Sequence, residues 1–102
     1  VNLYGERSID AYTRSTVYSI DAVRPFGITQ LVGWGDAPGE FLIYRNDDVV
    51  GGGRTSDQQR IVQVDYATSP IMFSAGDTLT LQVEHGAMGL RLMRANIIGR
   101  YF

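Results

Sequence analysis

Cysteine is absent from this chain, and with it go disulfide frameworks, thiol nucleophiles and cysteine-ligated zinc. Lysine is absent as well, so all nine basic residues are arginine, the cation suited to planar carboxylate contacts and to stacking on aromatic rings. Positive charge is in the minority. Eleven acidic residues leave a net charge of -2 and a pI near 5.1, so no nucleic-acid partner and no anionic membrane partner is expected. No apolar run approaches the ~20 residues of a membrane helix, and no signal-peptide pattern opens the sequence. No stretch repeats apolar residues with helical spacing.

What is present is alternation. In Phe73 to His85, FSAGDTLTLQVEH, Leu79, Leu81 and Val83 fall on one side and Thr78, Thr80, Gln82 and Glu84 on the other, the period of a half-buried strand. Burying those three aliphatic side chains is worth about 1.5–3 kcal/mol each. A one-residue slip would bring the threonines inside, so the pattern sets the register. Ahead of the strand, Ser74 to Asp77 supplies a glycine for positive φ and a carboxylate for nearby amides.

The same reading covers the rest of the chain. Residues 1–15 mix Leu3, Tyr4, Ile9 and Tyr12 with charges and are read as an N-terminal arm or edge strand; the sandwich domain is 16–102. As an arm, residues 1–12 would be removable without unfolding the domain. Strands are expected at 16–23, with Tyr18, Ile20 and Ala22 opposite Val17, and at 28–34, with Ile28 and Trp34 sharing one face opposite Leu31. Further strands fall at 41–45, at 60–66 with Val62, Val64 and Tyr66 inward, and at the C-terminus as one long or two short strands. Gly99 marks a bulge in the last of these. Pro25 breaks the chain after the first of these strands. Asn46 to Asp48 makes a hairpin turn, and the glycine run at 51–59, GGGRTSDQQ, is expected as an exposed loop. Short strands with turns every 8 to 12 residues point to an all-β, single-domain antiparallel β-sandwich of jelly-roll type.

Candidates for chemistry are few. His85 is the lone histidine, and a triad with Ser74 and Asp77 would have to span ~20 Å of strand. It reads instead as a core-edge histidine bonded to backbone. Asp36 with Glu40, or Asn46, Asp47, Asp48 and Asp57, offer loop oxygens but lack the spaced ligands of a calcium loop. Paired loop carboxylates would serve a small hydrolase only if the fold brought two together across a cleft. The GGGRTS run lacks the lysine and glycine spacing of a phosphate loop. No catalytic residue, metal or cofactor is therefore assigned, and the chain is read as non-enzymatic. If exposed together, Trp34, Tyr44 and Tyr66 would make a sugar-stacking platform.

The segment FSAGDTLTLQVEHGA and the closing ANIIGRYF resemble the last part of small jelly-roll domains of the C1q and tumour-necrosis-factor type. They also resemble the small trimeric jelly rolls that decorate or cement bacteriophage capsids. The shared residues are some 15 of the 102. The chain is shorter than the signalling domains and has no collagen-like or membrane-anchor segment, so the virion type is the closer resemblance. It implies a homotrimer bound to a larger protein assembly such as a capsid, located in the virion, with Leu3, Tyr4, Arg7 and Arg54 as protein contacts. The alternative is a carbohydrate- or receptor-binding β-sandwich module.

Overall fold

The computed structural model describes residues 1–102 as an all-β chain. Its nine strands are β1 (Asn2–Ile9), β2 (Ser15–Asp21), β3 (Phe26–Gly35), β4 (Gly39–Arg45), β5 (Asp48–Arg54), β6 (Ile61–Asp65), β7 (Ile71–Phe73), β8 (Thr78–His85) and β9 (Arg91–Tyr101). They form two antiparallel sheets. The first runs β1-β9-β3-β6, with β7 paired to the start of β3 on the side that β6 takes further along; the second runs β2-β8-β4-β5. Chain neighbours are mostly split between the two sheets, the wrapping of a jelly-roll sandwich.

The core is the sum of the inward faces. Leu79, Leu81 and Val83 of β8 are fully buried, as their alternation requires, and meet Leu31, Met93, Ala95 and Ile97 from the first sheet. Between them lie Phe41 and Ile43 of β4, while Phe26 and Phe73 stack at 5.0 Å to close one end. Contact is close enough that a Cβ on Gly33 would lie 2.9 Å from the Phe41 ring.

Four expectations are corrected. Of the two readings of residues 1–15, the edge strand fits and the arm does not: β1 pairs with β9 over eight positions at the edge of the first sheet, and Ile9 is part of the core. The triple glycine is not a loop but the end of edge strand β5. It is glycine because β5 lies against the other sheet, where Cβ atoms on Gly51 and Gly53 would come within 2.7 Å of Ile71 and 2.8 Å of Val62. The bulge near Gly99 sits across from it, between Ile28 and Gln30 of β3. That extra residue puts Ile28 and Leu31 on one face, where uninterrupted alternation would separate them. A second bulge, between Thr16 and Tyr18, lets both Val17 and Tyr18 pack on the core. The C-terminus is one strand of eleven residues.

Side chains seal the seam between the sheets' edges. The Tyr18 hydroxyl donates to the Leu3 carbonyl at 3.0 Å, and Arg7 Nη1 to the Thr16 carbonyl at 2.7 Å. Gly5 is glycine because a Cβ there would run into the Tyr18 ring. Burial pushes the Tyr18 phenol well above its ordinary pKa, since the phenolate would lose its water.

Candidate functional site

Two surfaces carry the residues singled out by sequence. The first is the outer face of the first sheet. With Ile97, Ala95 and Leu31 inward, alternation turns Arg94, Asn96 and Ile98 outward on β9, and Val32 and Trp34 on β3. The register sets Tyr4 beside Asn96 beside Val32, and Glu6 beside Arg94 beside Trp34 beside Ile61. Trp34 and Tyr4 lie diagonally, their rings 6.1 Å apart and tilted by 43°. Tyr4 and Ile61 are more than half exposed. The Tyr4 hydroxyl donates to Glu6 at 3.0 Å; loss of hydration, that bond and the Glu6 charge raise its pKa. Under this aromatic ridge the Oδ1 of Asn96 is buried without a hydrogen-bond partner, an unusual state for an amide.

The second surface is a shallow cleft of about 290 Å³ at one end of the sandwich, where Glu40, Arg54, Thr55, Glu84, His85 and Tyr12 converge. Glu40 and Glu84 are direct cross-strand partners on β4 and β8, a repulsive pairing left to itself. Arginines neutralise it. Arg14 approaches both carboxylates at 3.4 Å, and Arg54 grips Glu40 at 2.6 Å and 2.7 Å. The guanidinium of Arg14 is held charged by Tyr44 and the two glutamates.

His85 lies beneath that cleft and is buried. The Ala87 amide donates to its Nδ1 at 3.2 Å, so the ring proton sits on Nε2 and goes to the Ile9 carbonyl. Both nitrogens are engaged with backbone, as the sequence suggested. Ser74 and Asp77 lie at the other end of β8, where Asp77 Oδ2 accepts the Ser74 amide at 2.8 Å. That bond and one from Asn46 hold the Asp77 carboxyl below its usual value. The turn acids do not assemble into any group of three or more metal-ligating side chains.

The other candidates are dispersed. Leu3 packs inward and Tyr4 outward from the same strand, Arg7 reaches across to β2, and Arg54 sits on the second sheet. Of these, only Tyr4 belongs to the aromatic ridge. Trp34 is on the outer face of the first sheet and Tyr44 on that of the second. Tyr66 lies between the sheets, its hydroxyl accepting from the Gly52 amide at 3.0 Å. They form no common platform. Sequence reading missed Ile61 and Arg94 as neighbours of Trp34, because only strand pairing sets them side by side.

No family model matches this sequence, and no curated protein matches it. The fold is similar to that of a chain in the acidic stable capsid structure of Helicobacter pylori bacteriophage KHP30. The TM-score is 0.51 at 4% sequence identity, over 100% of this chain and 94% of that one. At that identity the likeness is one of fold.

Proposed function

We propose that this chain is a non-enzymatic structural protein of a phage particle: a decoration or cement protein, trimeric, that stabilises contacts between neighbouring capsid subunits. The observation that carries the reading is the end-to-end likeness of fold to a chain of a phage capsid structure. The ridge on the first sheet, with Tyr4 and Ile61 exposed and Trp34 and Val32 half-buried beside Arg94, supplies the contact face, since aromatic residues beside an arginine are what protein interfaces select. Many copies on a lattice make weak contacts sufficient by avidity. The glycan reading has no comparable support, because its three aromatics lie on three surfaces.

The test is to purify virions from the culture that carries the gene on a density gradient and look for the chain by mass spectrometry and electron cryomicroscopy. The expected result is co-sedimentation in a fixed ratio to the shell protein, with sandwich-shaped density at subunit junctions. A chain found in the lysate but absent from the particles overturns the proposal.

A further inference from the structure

One end of the sandwich carries three large apolar side chains in solvent: Tyr12, Met88 and Leu90, exposed by 79%, 87% and 69%. They stand on two different turns, β1–β2 and β8–β9, which His85 joins. Its ring binds the Ile9 carbonyl and the Ala87 amide, and its own carbonyl accepts the Tyr12 amide at 2.7 Å. Arg91 Nε closes the second turn on the Met88 carbonyl at 3.1 Å. Tyr12 itself adopts φ of 57°, left-handed backbone that a bulky residue takes up only at a cost. Its ring packs beside Gly86. The tip is thus apolar, held from both turns and strained.

At the opposite end, beside β7 and the Asn46 hairpin, is an apolar groove lined by Val50, Tyr66, Pro70, Ile71 and Met72, with Arg45 on its rim. Its floor is continuous with the core, since Val50, Tyr66 and Ile71 all pack against it. The molecule is 41 Å long, so the tip cannot reach its own groove. Charges flank both features: Asp10 and Arg91 beside the tip, Arg45 and its cross-strand partner Asp48 at the groove. An acid and a base on each side allow two opposite-sign pairs across a contact.

We infer that the Tyr12–Met88–Leu90 tip of one copy seats in the Val50–Ile71–Met72 groove of a second copy, a head-to-tail contact. Such contacts close into rings when the rotation between copies permits and otherwise make filaments. A ring of three gives the trimer of the proposed function, on which the ring size, though not the contact, rests. An interface of ordinary size takes about 800 Å² from each partner. The tip is therefore the anchor within a contact that includes its flanks, and the first sheet's outer face stays free for the larger assembly.

The test uses sedimentation velocity on the purified full-length chain over a dilution series, with two complementary variants. Met88→Asp blunts the tip, and Met72→Asp spoils the groove. Ser69→Arg, an exposed change at the groove rim, serves if Met72→Asp unfolds. Each variant alone is expected to weaken self-association by about thirtyfold or more, the size of a hot-spot loss, with an unchanged near-UV spectrum. Mixing the two restores one intact tip–groove pair, so dimers of one variant with the other reappear and nothing larger forms. Three outcomes overturn the inference: a parent chain that is monomeric throughout, an oligomer indifferent to Met88→Asp, or paired losses that mixing does not rescue. A monomer that is still found on virions would sink this contact and the trimer with it, and would leave only the structural role on the particle standing.

Discussion

The two outer faces of this sandwich are built by the same alternation and use it differently. On the second sheet, side chains bind one another: Ser19 with Thr80 at 3.1 Å, Thr78 with Asp21 at 2.8 Å, Gln82 with Thr16 at 3.3 Å, and Glu40 with Arg14 and Arg54. On the first sheet the corresponding positions mix Tyr4, Val32, Trp34, Ile61 and Ile98 with Glu6, Arg94, Gln30, Gln63 and Asp65, with a buried amide oxygen left unpartnered. A face whose polar groups are mutually bonded gains little from a partner. A face with aromatic and aliphatic groups in a cluster gains from the apolar area a partner covers. Function is therefore expected on the first sheet and local stability on the second.

The largest effect expected from breaking this contrast is at the edge of the first sheet. Deleting residues 1–12 removes β1, the core residue Ile9 and the acceptor of His85. The truncated chain is expected to lose its cooperative thermal transition; a soluble remnant that melts cooperatively would show β1 to be dispensable.

In the proposed role, Trp34→Asp is expected to weaken attachment to the particle by about thirtyfold or more, with a cooperative melt retained at a lower temperature because the half-buried ring packs beside Tyr4. The matching change on the other face, Thr80→Asp, should leave attachment alone. Equal losses from both would erase the distinction between the faces.

Tyr18→Phe tests the seam between the sheets. Losing the bond to the Leu3 carbonyl should cost about 0.5–1.5 kcal/mol. The pH dependence is more telling. Burial raises the folded-state pKa of Tyr18, so the unfolded chain releases this proton first, near its ordinary value of about 10. Stability contributed by the neutral phenol is full below that pH and falls as pH rises above it. The phenylalanine variant should lose this alkaline limb, which urea titrations at high pH would reveal.

The smallest effect belongs to Asp77, whose carboxylate caps the turn feeding β8. Its folded pKa is lowered by the Ser74 amide and the Asn46 side chain. Its contribution is present above the unfolded value of about 3.9 and disappears as pH falls through the lower folded one. Asp77→Asn should lower the melting temperature slightly at neutrality, where the carboxylate contributes in full, and flatten the acid limb of the plot of melting temperature against pH, so that the two proteins converge in acid.

Much of the fold was legible because its signals are local. The inward set of β8, the hairpin at Asn46, the turn at Gly76 and the bond of His85 to the Ala87 amide follow from residues within a few positions of one another, although the second partner of His85, the Ile9 carbonyl, does not. The glycan platform and the dispersed contact residues failed for the opposite reason. Trp34, Tyr44 and Tyr66 alternate correctly within their own strands, yet nothing in one strand says which sheet it joins.

By itself, then, the sequence determined an all-β sandwich, the buried face of most strands and the turns between them, since period-two alternation and turn chemistry act through neighbouring residues. Only the tertiary structure decided the rest: that residues 2–9 take the edge-strand alternative and not the arm, that Gly51 and Gly53 are the price of laying β5 against β6, and that Tyr4, Trp34 and Ile61 meet on one outer face. Those properties depend on which strands become neighbours, and the bulges in β2 and β3 reset which side chains face inward. Pairings between residues far apart in the chain leave no mark in either partner alone.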